Sequence, residues 1–99
     1  MQKSFDIYSD PGHAWCKVPF SVLRDLGIVE KITCFSYMRG GFAYLEEDGD
    51  LSALVIVLRD RGITPKFREH VARERRSRIR EYFCYTPAAV NTYLALNGK

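Results

Sequence analysis

The first residues alternate in polarity. Phe5, Asp6, Ile7 and Tyr8 fit a strand with period two. Asp10-Pro11-Gly12 supplies turn chemistry, proline presetting φ and glycine accepting a positive one, and residues 14–18 return as a second strand. Pro19 opens a short helix with Val22, Leu23 and Leu26 on one face, and Gly27 stops it. Residues 32–38 are rich in β-branched, aromatic and thiol side chains and predict a strand. Arg39-Gly40-Gly41 is a turn, and residues 42–46 close a second hairpin. Asp48-Gly49-Asp50 breaks that strand and caps the next helix. Its apolar stripe, Leu51, Leu54, Val55 and Leu58, is expected to lie buried against the sheet, and Gly62 ends it.

Residues 63–69 predict a further strand, with Pro65 at its start or on an edge. Residues 73–82 fit two patterns. A strand puts Arg76, Arg78 and Arg80 on one face and Ser77, Ile79 and Glu81 on the other. A helix offers only Ile79, Tyr82 and Phe83 as a narrow stripe. The strand, returning from a mobile turn at 71–75, is the better fit. Thr86-Pro87 reads as an N-cap followed by proline at the first helical position. Val90, Tyr93 and Leu94 form the apolar face of that last helix and Gly98 its end. The order ββαββαβ(β)α is that of one small α+β domain over residues 1–99. Its antiparallel sheet, built of hairpins, carries two or three helices mainly on one face.

Composition agrees with a packed domain: of 99 residues, 46% are hydrophobic and 13% aromatic. Cys16, Cys34 and Cys84 are odd in number and form no CxxC pair. That argues against a disulfide framework and a cysteine-rich zinc site, and for free thiols in a cytoplasm. The N-terminus lacks the apolar stretch of a signal peptide. The longest apolar run, residues 53–58, falls far short of the ~20 residues of a membrane span. A cytoplasmic protein without a membrane partner is expected.

Charge changes the picture. Residues 66–80, KFREHVARERRSRIR, hold seven of the fifteen Lys and Arg: Lys66, Arg68, Arg73, Arg75, Arg76, Arg78 and Arg80. Only Glu69 and Glu74 oppose them, so the run carries about +5 in a chain of net charge +3. Folding does not require such a concentration, because like charges repel and must stay solvated. A surface for phosphates or carboxylates does use it, since guanidinium is a planar two-pronged donor. Tyr82, Phe83 and Tyr85 follow at once, and arginines beside aromatic rings suit nucleic acid. Tyr37 and Tyr44, around the Arg39 turn with Phe42, offer further rings for stacking, or ordinary sheet packing. The alternative for the run is a strand edge guarded by charge.

Two other groups invite chemistry. His13, beside Asp10 in a tight turn, fits a general base with its orienting acid, with Ser9 or Cys16 as the nearest nucleophile. The better fit is a hairpin in which Asp10 bonds local backbone and Trp15 packs in the core. The turn Glu46-Glu47-Asp48-Gly49-Asp50 offers carboxylates to a divalent cation but does not complete an EF-hand. It also fits a solvated turn placing negative charge at a helix N-terminus. No nucleophile with its base, metal-ligand pattern or phosphate loop is legible, so no catalytic residue, metal or cofactor is assigned.

SDPGHAW, KVP, SYMRGGFAYLEED, KFREH and SRIREY together resemble a group of small proteins encoded by phages, plasmids and other mobile elements. The resemblance covers most of residues 6–85. The group has no assigned activity, so no catalytic residue carries over. This chain departs from the pattern at Gly49, where a cysteine is expected, and in its added helix from Thr86. The resemblance implies an accessory gene product, often a non-enzymatic inhibitor of host defence such as an anti-CRISPR protein. Its partner would be a host defence protein or ribonucleoprotein, a Cas effector above all, contacted through the arginine surface with Tyr82, Tyr37 and Arg39. A direct DNA- or RNA-binding accessory protein is the alternative, and a small enzyme using His13 and His70 a more distant one.

Overall fold

The computed structural model describes residues 1–73 and 75–97. Gly98, the expected helix end, lies outside the described residues, as does Glu74. The N-terminal alternation forms a hairpin of β1 (Ser4–Ser9) and β2 (Ala14–Pro19), with Ile7 opposite Cys16 and Tyr8 opposite Trp15. Pro19 leads into α1 (Phe20–Asp25), and Gly27, at φ +70°, takes the left-handed position that ends it. β3 (Tyr37–Arg39) and β4 (Phe42–Glu46) make the second hairpin. Its turn includes Gly41 at φ +83°. A Cβ there would also meet the ring of Tyr93, 2.6 Å from its hydroxyl oxygen, so conformation and space both require glycine. α2 (Asp50–Asp60), β5 (Lys66–Val71), β6 (Phe83–Cys84) and α3 (Pro87–Leu96) complete the described elements.

The α+β class holds, with six strands in the order β5-β1-β2-β4-β3-β6. The sheet is mixed rather than wholly antiparallel: β5 pairs with β1 in parallel, Phe5 opposite Phe67 and Tyr8 opposite His70. The cause is the α2 crossover. A helix between two strands carries the chain back to the starting end, so β5 runs with β4 and with β1.

All three α-helices contribute to one side of the sheet. Phe5, Cys16, Val18, Ala43 and Leu45 meet Leu23, Leu54, Leu58 and Val90 there in one apolar core. Leu54 and Leu58 are fully buried and Leu51 packs half-buried, but Val55 stands outside the core, its place taken by Ala53 and Val57. Asp50 sets that phase. Its carboxylate is buried and accepts from the amide and hydroxyl of Thr33 and from the Ser36 hydroxyl, so the inward row is 50, 54, 58.

The same anchor corrects the expected strand at 32–38. Val29–Lys31 is a 3-10 turn, Ile32 enters the core, and Thr33 and Ser36 turn toward Asp50, leaving only Tyr37–Arg39 as strand. Three polar bonds to a buried carboxylate outweigh β propensity, which spans only about 1 kcal/mol. α3 starts as expected, with Thr86 accepting from the Ala89 amide at 3.3 Å. It packs on its own chain, burying Val90, with Tyr93 edge-on to Phe20.

Candidate functional site

Among the described residues no α-helix covers the other sheet face. Alternation places Tyr8, Trp15, Lys17, Tyr37 and Tyr44 on it, where pairing sets Tyr8 beside Trp15 and Lys17 beside Tyr44. Residues 75–82 cross it as a strap, and Ile79 is buried against Trp15 and Tyr44. The expected strand with Arg76, Arg78 and Arg80 on one face does not form. Ser77 caps a 3-10 turn, Arg78–Glu81, and only Phe83–Cys84 beyond it is strand.

Asp10 is the reason. Its side chain is 1% exposed. One oxygen accepts from the Gly12 and His13 amides, both at 3.0 Å, and the other from the Ser77 amide at 2.9 Å. Arg80 closes the arrangement with two bonds, Nε at 2.7 Å and Nη2 at 2.9 Å, and its guanidinium lies 5.2 Å from the Trp15 ring centroid. The strap cannot remain extended and satisfy that carboxylate. The Arg80 guanidinium, helped by the three amides and opposed by burial, holds the Asp10 carboxyl far below the usual carboxylate range. Arg80 is therefore engaged within the fold.

This also decides the His13 candidate. Asp10 accepts from the His13 main chain and not from its ring, and is saturated by Arg80, so it does not orient an imidazole. Cys16 lies fully buried on the opposite face, where burial pushes its thiol up to about 12. Cys34 and Cys84 are also free, and both are exposed.

The acidic turn is structural. Glu46 accepts from the amides of Asp48, Gly49 and Asp50 at 2.7–2.8 Å, satisfying the first donors of α2. Among the described residues no three His, Cys, Asp or Glu side chains converge as a metal site, and no helix is long and apolar enough to cross a membrane.

What remains is a groove of about 410 Å³ between strap and sheet. Buried Tyr44 and Ile79 and half-buried Tyr8, Lys17 and Tyr82 line it. Exposed Arg75, Arg76 and Arg78 line its rim. Tyr82 sits 5.0 Å from Tyr44 and has the Arg39 guanidinium 5.1 Å from its ring centroid. Tyr8 stacks on His70 at 4.7 Å, and His70 Nε2 is 2.9 Å from Asp6, which also accepts from Arg68 at 2.8 Å. Hydrogen bonds from Arg68 first, then His70, draw the Asp6 carboxyl down to about 2.

The basic run is thus divided. Arg75, Arg76 and Arg78 gather at the groove with Tyr82. Arg39 backs Tyr82, Arg68 and His70 bind Asp6, and Lys66 and Arg73 are exposed and not part of the groove lining. Tyr37 packs edge-on to Trp15 in a separate hollow. Tyr85, expected beside the arginines, is buried on the core side and donates to the Val29 carbonyl at 2.6 Å. Tyr8 and Lys17 join the groove without having been singled out in the sequence. The hairpin register was the available signal, since it sets Tyr8 beside Trp15 and Lys17 two residues further along the same face.

Compared with known proteins, the chain matches no family model, no curated protein and no solved structure.

Proposed function

We propose that this chain is a non-enzymatic binding protein whose basic, tyrosine-walled groove receives a phosphate-bearing partner. One observation carries the reading: Lys17, Arg75, Arg76 and Arg78 converge with Tyr8, Tyr44 and Tyr82 around one 410 Å³ hollow. Cations around an aromatic hollow suit an anionic ligand with flat, apolar parts. The resemblance to mobile-element proteins adds context: the partner is a host-defence ribonucleoprotein, such as a Cas effector, which the protein blocks at its nucleic-acid contacts. Direct binding of DNA or RNA as an accessory protein uses the same groove.

The test is affinity capture from host lysate, with and without nuclease, comparing the wild type with an Arg75→Ala, Arg76→Ala, Arg78→Ala variant. Recovery of a nucleic-acid-containing partner by the wild type and its loss in the variant is the expected result. Equal recovery by both proteins would remove the groove from the function.

A further inference from the structure

We propose that the groove is a site for single-stranded nucleic acid, DNA or RNA, in which an unpaired base enters among the tyrosines while flanking phosphates lie on the rim arginines. This rests on the binding reading above and names its ligand class. Three features favour a single strand over a duplex. The first is the aromatic lining. Tyr8, Tyr44 and Tyr82 line the hollow, and a base that stays paired cannot present its face to them, because a duplex offers its phosphates outward and keeps its base faces stacked. An unpaired base can be turned inward and stacked on rings.

The second feature is preorganisation. Tyr8 and Tyr82 each have an aromatic neighbour that fixes the ring: His70 stacks on Tyr8, interplanar angle 15°, and Tyr44 leans on Tyr82 at 60°. His70 is in turn held by Asp6. Rings already fixed lose little freedom when a base stacks on them.

The third is continuity. A smaller hollow of about 170 Å³, reaching His70 and Val71, shares Tyr8, Ala72 and Ser77 with the groove. Together they form a track along the strap, so neighbouring nucleotides of one strand can follow the first. Charge complementarity supplies the rest, with Arg75, Arg76 and Arg78 exposed beside the opening.

Fluorescence anisotropy with short labelled DNA and RNA single strands, and with the matching duplexes, tests this at low and high salt. The proteins are the wild type, the triple arginine variant, and Tyr82→Leu, which keeps an apolar cover over Tyr44 but removes a stacking face. Single strands should bind roughly tenfold or more tightly than duplexes. Tyr82→Leu should lose roughly tenfold on single strands and nothing on duplexes. The arginine variant should lose affinity on both, with a shallower salt dependence. If Tyr82→Leu melts early, Tyr8→Leu, on a different element, repeats the comparison. Equal affinity for strand and duplex, indifferent to both tyrosine variants, would overturn the inference and leave an electrostatic contact surface. Binding to neither would also overturn it. If arginine-dependent capture from lysate then survives nuclease, the partner is an acidic protein and the basic surface stands without nucleic acid.

Discussion

The helix-covered face of the sheet is closed by shape: Phe5, Val18 and Leu45 against Leu23, Leu54 and Leu58, all buried and all apolar. The opposite face is closed over part of its width by residues 75–82, and there the central fastening is a carboxylate, Asp10, with five hydrogen bonds from four residues. The first kind of closure is non-directional and tolerates repacking. The second is directional and fails with its one partner. The difference explains how so basic a segment folds at all. One of its arginines is spent on Asp10, and the cover it secures holds Arg75, Arg76 and Arg78 at the rim of a groove.

The comparison breaks most sharply at Arg80. Arg80→Ala leaves a nearly buried carboxylate without its cation and should give the largest loss of stability of these variants, read from urea or guanidinium midpoints. A loss under about 1 kcal/mol would mean that the strap is held mainly by Ile79 and Tyr82. Leu54→Ala on the covered face should cost less, about 3 kcal/mol, as transfer and cavity together. A loss within half a kcal/mol would misplace α2.

Acid should act on the two variants differently. Asp10 has its pKa lowered in the fold, so its stabilisation is fully present above the unfolded carboxylate range, near about pH 4, and fades as pH falls below it. Asp6, drawn down to about 2, has the same sign. In Arg80→Ala, the three amides still lower Asp10 against the burial that raises it, but its largest lowering partner is gone, so the gap between wild type and variant should narrow from about pH 7 to about pH 3. Leu54→Ala should keep its gap over that interval. Equal gaps at both pH values for Arg80→Ala would show that the ion pair contributes no pH-dependent stability.

The hairpins, the three helices and the thiol state were legible because they depend on neighbours: alternation, turn glycines, Thr86-Pro87. What was not legible depends on partners far along the chain. Asp50 bends residues 33–36 away from strand geometry across a separation of 14–17 residues, and Asp10 folds the strap across 67–70. A lone aspartate looks the same in sequence whether it turns a loop or fastens a distant segment. Likewise, alternation made Arg76, Arg78 and Arg80 equivalent, whereas the structure gives Arg80 an exposure of 22% beside a buried acid and leaves Arg76 and Arg78 exposed.

A smaller effect tests the last helix against both faces. Thr86→Ala removes the bond to the Ala89 amide and should cost about 1 kcal/mol. Serine in its place should restore most of it, because serine caps as well as threonine. If alanine and serine are equally destabilising, the threonine methyl rather than the cap contributes.

The smallest change in stability is expected where binding depends most on charge. Arg75→Ala, Arg76→Ala and Arg78→Ala together remove three exposed cations that neighbour one another along the strap. Exposed charges contribute little, and these repel one another, so the midpoint should move by no more than about half a kcal/mol and can rise. The contrasting triple, Arg76→Ala, Arg78→Ala and Arg80→Ala, differs in one position and should show the full Arg80 loss. A direct comparison of the two triples isolates the residue that fastens the strap from those that line the groove. If the first triple destabilises the protein as much as the second, the rim arginines also hold the strap down, and a loss of binding in that variant would no longer report on the groove.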